Sequence, residues 1–325
     1  MAEIISAARY NALQGRIQTI MATPSSSGAV GYNQNVFGTF LSSQVGKGEI
    51  VTATQLNALY TDVINARYHQ VGTNFDPAAD GLLTVTTQDE ITEALHAAFE
   101  SVMLDAEADK YLLATSQAET RVAGVNSTRP VSNPWGGALS PQTLTHEFTV
   151  DFRNENHRKS FFNSGGEIRI DFNMSNLPQV GDPNYSKSVD WKNLLVDIGV
   201  IKFKYDQTTS SAIENLGSKP GTGSSIGNYQ LTGSYQLVFN KQGGGAYQYN
   251  ANYMTVKAKQ NSGKSISFRI DLQDDANTGF DEVVEGTINS VVIQHRAAGI
   301  HVDVPTATYN NLQTFDQASA PPPVT

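Results

Sequence analysis

Residues 146–175 read HEFTVDFRNENHRKSFFNSGGEIRIDFNMS, and no other stretch restricts the fold so tightly. Phe148, Val150 and Phe152 share one side of an extended chain, and Ile168, Ile170, Phe172 and Met174 do the same further on, with polar residues on the opposite faces. That period of two is the signature of half-buried β-strands. Between the runs, Arg158-Lys-Ser-Phe-Phe-Asn163 follows Asn154 and Asn156, either of which can cap a helix, and leads into Ser164-Gly165-Gly166. The spacing predicts a helix of about one and a half turns, ended by a glycine free to adopt positive φ. Phe161 or Phe162 is expected to plug the space between this helix and the sheet, since burying one such ring contributes roughly 1.5–3 kcal/mol. Asn163, Gly165 and Gly166 then shape the reversal. Arg153 with Glu155, and Arg169 with Asp171, are placed for ion pairs on exposed strand faces, each worth less than about 1 kcal/mol.

Towards the N-terminus the period changes. Tyr10, Leu13, Ile17 and Ile20 recur at helical steps. Leu56, Leu59 and Val63 do so in a second segment that begins at Thr52 and reaches Tyr68. A third carries Ile91, Leu95, Ala98, Phe99 and Val102 behind a Thr87/Glu90 capping box, and is expected to run with breaks towards Val122. Asn11-Ala12-Leu13 matches Asn57-Ala58-Leu59 at an offset of 46, and Ile17 matches Val63, a weak sign of duplication. Short amphipathic helices of this kind must pack together or against symmetry mates. Residues 23–50 are rich in Ser, Gly and Asn, with isolated Val36, Phe37, Phe40 and Leu41. So long an irregular stretch either reaches onto a neighbouring subunit as an arm anchored by Phe37 and Phe40, or folds back as a surface loop.

Residues 124–143 contain three prolines and three glycines without periodicity and read as a linker in which Trp135 fills a hydrophobic gap. Beyond the opening stretch, Trp191, Leu194, Leu195 and Ile198 have helical spacing, with Ser186 and Ser188 as candidate caps, and residues 200–205 turn extended. A Ser, Thr and Gly-rich loop is expected over 206–232, then strands over 235–240, 253–259, 265–273, 283–295 and 300–304. In the clearest, Ile266, Phe268, Ile270 and Leu272 face one way, and Ser267, Arg269, Asp271 and Gln273 the other. The chain is therefore expected to be α+β. A helical attachment region, 1–123, carries the arm 23–50. The linker 124–143 joins it to a mainly antiparallel sheet or sandwich with short helices, 144–310, and a flexible Pro-rich tail follows at 311–325.

Chemistry is sparse in this pattern. A net charge of −9 argues against tight binding to nucleic acid, which relies on Lys and Arg to displace counterions. The absence of cysteine removes disulfides, thiolate nucleophiles and Cys-based zinc sites together. No run approaches the ~20 apolar residues of a membrane span, and MAEIISAARY lacks a signal-peptide core, so a soluble intracellular chain is expected. Gly223-Ser-Ser225-Ile-Gly227 matches a nucleophile string but lies in a loop rather than a strand-to-helix turn. Gly263-Lys264-Ser265 resembles the end of a P-loop, yet Ala258 stands where its first glycine is required and a strand follows where a helix is needed.

Asp274, Asp275, Asn277, Asp281 and Glu282 offer oxygens for calcium. Gly279 comes a place early for a calcium loop, and Glu285 falls at the eleventh position rather than the twelfth, so a solvated acidic hairpin is the better reading. His301 and Asp303 share a face without further ligands to complete a metal site. Catalysis, a cofactor and a metal are all unexpected. With 16% charged residues against a typical ~25%, much of the surface must be neutral and polar, which suits packing against other subunits.

The run F-T-V-D-F followed by K-S-F-F-N-S-G-G-E-I-R-I, together with Phe280-Asp-Glu-Val-Val-Glu-Gly-Thr-Ile-Asn-Ser290, resembles virion structural proteins of tailed bacteriophages, especially contractile-tailed cyanobacterial phages. Tyr10-Asn-x-Leu13 and the Thr-Gln-x-Asn-x-Leu segment at 54–59 are similar to that group as well. The resemblance covers about two thirds of the chain. It implies a non-enzymatic particle component of the neck, tail or baseplate, located in the virion. Its expected partners are itself, as a trimer or ring, and other virion proteins, not a membrane. The alternative is a receptor- or glycan-binding fibre module, in which Tyr229, Tyr247, Tyr249 and Tyr253 around Gly243-Gly-Gly245 stack on a host surface glycan.

Overall fold

The computed structural model describes residues 6–21, 41–87, 89–110, 119–137, 142–163, 166–204, 212–217, 227–244, 249–275, 282–297 and 307–317. Phe37, Phe40, Gly165, Tyr247, His301, Asp303, Asn277, Asp281 and Ser225 lie outside them. The fold is α+β, with two compact units. The first comprises Met1–Thr120, Asn154–Gly166 and Arg296–Pro305; the second comprises Arg121–Arg153, Glu167–His295 and Thr306–Thr325.

The first unit is helical. Helix α1 spans Ala7–Met21, α2 Ala53–Val71, α3 Glu93–Ala108 and α4 Glu155–Asn163. Tyr10, Leu13, Ile17 and Ile20 of α1 meet Leu56, Leu59, Val63 and Ala66 of α2 and Leu95, Phe99, Val102 and Met103 of α3 in one buried cluster. The stripes read from the sequence are thus the core. Thr52 and Gln55 form a full capping box at α2. Helix α3 starts later than the Thr87/Glu90 pair suggested: Thr92 is its N-cap and its hydroxyl accepts from Leu95 N. It ends at Ala108 rather than continuing towards Val122. Two-pronged Arg16–Glu107 contacts of 2.8 and 2.9 Å tie α1 to α3, and Arg67–Asp109 at 2.8 Å ties α2 to the end of α3. In α4 the cap is Asn154, whose Oδ1 accepts from His157 N at 2.9 Å. The Phe161 and Phe162 rings meet edge to face at 5.0 Å, both buried.

The second unit is built on two mainly antiparallel sheets. Strands β1 (Glu119–Arg129), β10 (Thr287–Ala297), β3 (Glu167–Ser175), β4 (Ile201–Lys204), β5 (Ala212–Gly217) and β6 (Gly227–Gln230) form one, in that order. Strands β11 (Thr308–Gln313), β2 (Thr143–Asp151), β9 (Ser265–Gln273), β8 (Tyr253–Ser262) and β7 (Gln236–Gln242) form the other. The registers explain the periodicity. Leu144, Phe148 and Val150 lie opposite Leu272, Phe268 and Ile266, while Ile168, Ile170, Phe172 and Met174 lie opposite Gln294, Val292, Ser290 and Ile288. The sheets face one another: Phe203 of β4 meets Phe268 of β9 with ring centroids 5.0 Å apart. Helix α5 (Tyr185–Ile198) sits between β3 and β4 in the chain.

Several segments differ from the sequence reading. Strand β1 occupies residues expected to end a helix and begin a linker. Strands β5 and β6 lie within the 206–232 stretch read as loop; they extend the sheet beyond β4, a position where backbone pairing suffices and no apolar pattern is needed. Strand β11 and the buried Phe315 lie where a flexible tail was expected. Asn184, not Ser186 or Ser188, precedes α5, and it makes no side-chain cap. Arg169 donates to Glu167 Oε2 at 2.5 Å, and Glu155 pairs with Lys159 at 2.8 Å. The strand–helix–strand stretch is itself divided, its helix falling in the first unit and its strands in the second.

Candidate functional site

Lys187 lies on the buried stripe of α5 with Trp191, Leu194, Leu195 and Ile198. A cation on such a stripe needs a counter-charge, and Asp274, just past β9, supplies it. Nζ and Oδ2 are 2.7 Å apart, with side chains 0% and 1% exposed. Gly137 N donates to the same Oδ2 at 2.6 Å, and Nζ donates to Glu282 O at 2.8 Å. Oδ1 of Asp274 is buried and has no hydrogen-bond partner among the described residues.

The surrounding chain is built to approach this pair closely. Gly136 and Gly137 have φ of 74° and 58°, the left-handed region that favours glycine. A Cβ at Gly136 would collide with the Asp274 carboxylate, and one at Gly137 with Glu282 O. Trp135, the preceding residue, is buried, pairs by both backbone groups with Val284, and packs on Trp191 at 4.9 Å. Trp135, expected from the sequence to fill a hydrophobic gap in a linker, packs on Trp191 of α5. Asn184 Oδ1 accepts from Val283 N at 3.0 Å and Ser188 Oγ accepts from Glu285 N at 2.9 Å, holding 282–285 along the start of α5. Tyr249 O–H donates to the Glu282 carboxylate. A cavity of about 10 Å³ beside Trp191, Leu194, Tyr249 and Asn252 has room for no more than one water and for no organic ligand.

The second buried polar position is His146, on the apolar face of β2 between Leu144 and Phe148. Nδ1 lies 2.9 Å from Ser290 Oγ on the facing sheet, and Nε2 lies 3.2 Å from Asn311 Oδ1 on β11. Its ring also packs against Phe148 and Phe315. Desolvation lowers its pKa to about 4, against a smaller raising effect from Asn311.

Other residues singled out from the sequence are dispersed. Phe161, Phe162 and Asn163 lie in α4, and Gly166 follows it, donating to Phe161 O at 2.9 Å. Asp274, expected in a solvated acidic hairpin, is instead buried and paired through Oδ2 with Lys187. Among the described residues, no group of three or more His, Asp or Glu side chains is placed to hold a metal. Tyr249, expected as a sugar-stacking ring, is buried. Sequence reasoning missed the Lys187–Asp274 pair, although a lysine four residues before Trp191 on an apolar stripe was a readable signal. No protein-family model, curated protein or solved structure matches the chain.

Proposed function

We propose that the protein is a non-enzymatic structural component of a tailed-phage particle, sited in the neck, tail or baseplate and working as a homo-oligomer. The observation that carries this reading is the resemblance in the Phe-Phe-Asn-Ser-Gly-Gly core and the Phe280–Ser290 run. Two features accord with it. The charged pair Lys187–Asp274 is closed off from solvent, with side chains 0% and 1% exposed, as expected of a pair that braces the fold. The sheets end on strands such as β11, whose Asn310 and Asn311 are exposed, a neutral edge of the kind assembly contacts can use. The test is antibody labelling of intact particles together with sedimentation of the purified chain. A trimer or ring in solution and label at the neck, tail or baseplate are the expected results. Absence of the chain from purified particles overturns the reading.

A further inference from the structure

An amine and a carboxyl group in contact inside an apolar interior can condense to an amide. We propose that Lys187 and Asp274 become joined by a covalent bond between Nζ and Cγ, an internal cross-link from α5 to the end of β9. This goes beyond the particle reading and does not depend on it.

The hydrogen bonds around the pair fit the amide product better than the ion pair. A buried ion pair offsets its desolvation only when the remaining polar atoms are satisfied, and Oδ1 has no partner among the described residues. In the amide, Oδ2 becomes the carbonyl and keeps the Gly137 N–H at 2.6 Å. The nitrogen keeps one hydrogen, aimed at Glu282 O at 2.8 Å. The orphaned Oδ1 is the atom that leaves. Both charges vanish from a site with side chains 0% and 1% exposed.

The step balances without an outside reagent. The ammonium passes a proton to Oδ2 across the 2.7 Å contact, and transfer of that proton to the partnerless Oδ1 leaves an amine beside an acid whose hydroxyl oxygen is Oδ1. The Nζ lone pair forms the bond to Cγ while the carbonyl electrons move onto Oδ2, where the Gly137 N–H stabilises the developing oxyanion. When those electrons return, the Cγ–Oδ1 bond breaks, Oδ1 takes a second proton from the nitrogen, and water departs. Ammonium and carboxylate become amide and one water. The 2.7 Å contact from Nζ to Oδ2 sets the amine beside Cγ, and Gly136, where a Cβ would strike the carboxylate, leaves room for it; that proximity drives the condensation.

The test is the intact mass of the purified full chain under denaturing conditions, with allowance for N-terminal methionine removal. The expected mass is one water below that of the sequence. A tryptic digest should yield a branched peptide joining the Lys187 and Asp274 segments, and Lys187→Arg should show the full mass. A wild-type chain at full mass after prolonged incubation overturns the proposal, and so does a missing water that maps elsewhere. Because the wild-type mass decides the question, a variant that fails to fold does not shelter it.

Discussion

Asp62 of α2 and Asp274 after β9 are both buried, at 0% and 4% exposure, and the two units accommodate them differently. Asp62 accepts from the backbone of a nearby strap: Ser42 N at 2.8 Å and Leu41 N at 3.1 Å. Desolvation raises its pKa, and those hydrogen bonds pull the other way. Asp274 relies on a lysine distant in sequence and on a single backbone N–H. A carboxylate held by N–H groups needs only an acceptor there, whereas one set against a buried lysine must neutralise it, as a counter-charge or as the amide. Substitution should therefore separate the units sharply. Asp274→Ala strands a buried ammonium and is expected to cost about 3–5 kcal/mol. Asp62→Asn keeps an acceptor for the strap and is expected to cost less than about 1.5 kcal/mol. Both tryptophans, Trp135 and Trp191, lie in the sheet unit, so denaturant unfolding followed by tryptophan fluorescence reports the first loss directly. Equal losses at the two positions would break the contrast.

Acid should sharpen it. His146 has a folded pKa of about 4, below its ordinary value, so the folded sheet unit refuses a proton that the unfolded chain accepts. Above pH ~6.5 the ring is neutral in both states and contributes nothing. As pH falls from there towards about 4, the sheet unit should lose about 3 kcal/mol. Asp62 acts oppositely: its raised folded pKa means that protonation relieves a penalty in the helical unit as pH falls. Glu107, held below the ordinary range by its hydrogen bond to Arg16, begins to cost stability only at lower pH. Thermal melts read by tryptophan fluorescence should drop with pH before the helical signal does. His146→Leu should flatten that slope, and a slope unchanged by His146→Leu would remove His146 as its cause.

These two positions also mark what the sequence could reveal. Periodicity located β2, β3, β4 and β7 to β10, because facing sheets bury every second residue, and it located α1 and α2, whose stripes became the helical core, but it missed β1 and β11. It could not place β5 and β6, which carry no apolar alternation, nor assign α4 to the helical unit, since membership depends on distant contacts. His146 was hidden for a related reason. It stands in phase with Phe148 and Val150, but a histidine in that phase reads as a strand end until its Ser290 and Asn311 partners are known. The Lys187–Asp274 pair joins residues that no local pattern connects. Trp135 alone among the linker residues announced itself, through size in a Pro/Gly-rich run.

A smaller effect is expected where α4 ends. A Cβ on Gly166 would collide with Phe161 O and lie 2.8 Å from a Phe161 ring carbon, and the carbonyl is backbone that cannot move aside cheaply. Gly166→Val is expected to cost about 1–3 kcal/mol, seen as a lower melting temperature and reduced soluble yield. Phe161→Ala in the same background should recover part of the loss by removing the ring, but not the carbonyl clash. Full recovery would show that the side chain alone made the glycine necessary.

The finest comparison lies inside the helical unit. Asn11 of α1 donates to Val45 O and accepts from Val45 N, both at 2.8 Å. Asn57 of α2 does the same to Val85, at 2.8 and 2.9 Å. The two asparagines are the residues that the 46-position offset aligned, and each braces the extended strap leading to the next helix. Val45 and Val85 are buried, so losing either asparagine leaves a backbone N–H and C=O poorly satisfied. Asn11→Ala and Asn57→Ala should each cost about 1–3 kcal/mol. Amide hydrogen exchange offers the finer reading. If the braces are independent copies of one device, Asn11→Ala should speed exchange at Val45 and spare Val85, and Asn57→Ala should do the reverse. Loss of protection at both valines from either change would mean the straps open together, and the likeness between the helices would then reflect one cooperative clamp rather than two repeated ones.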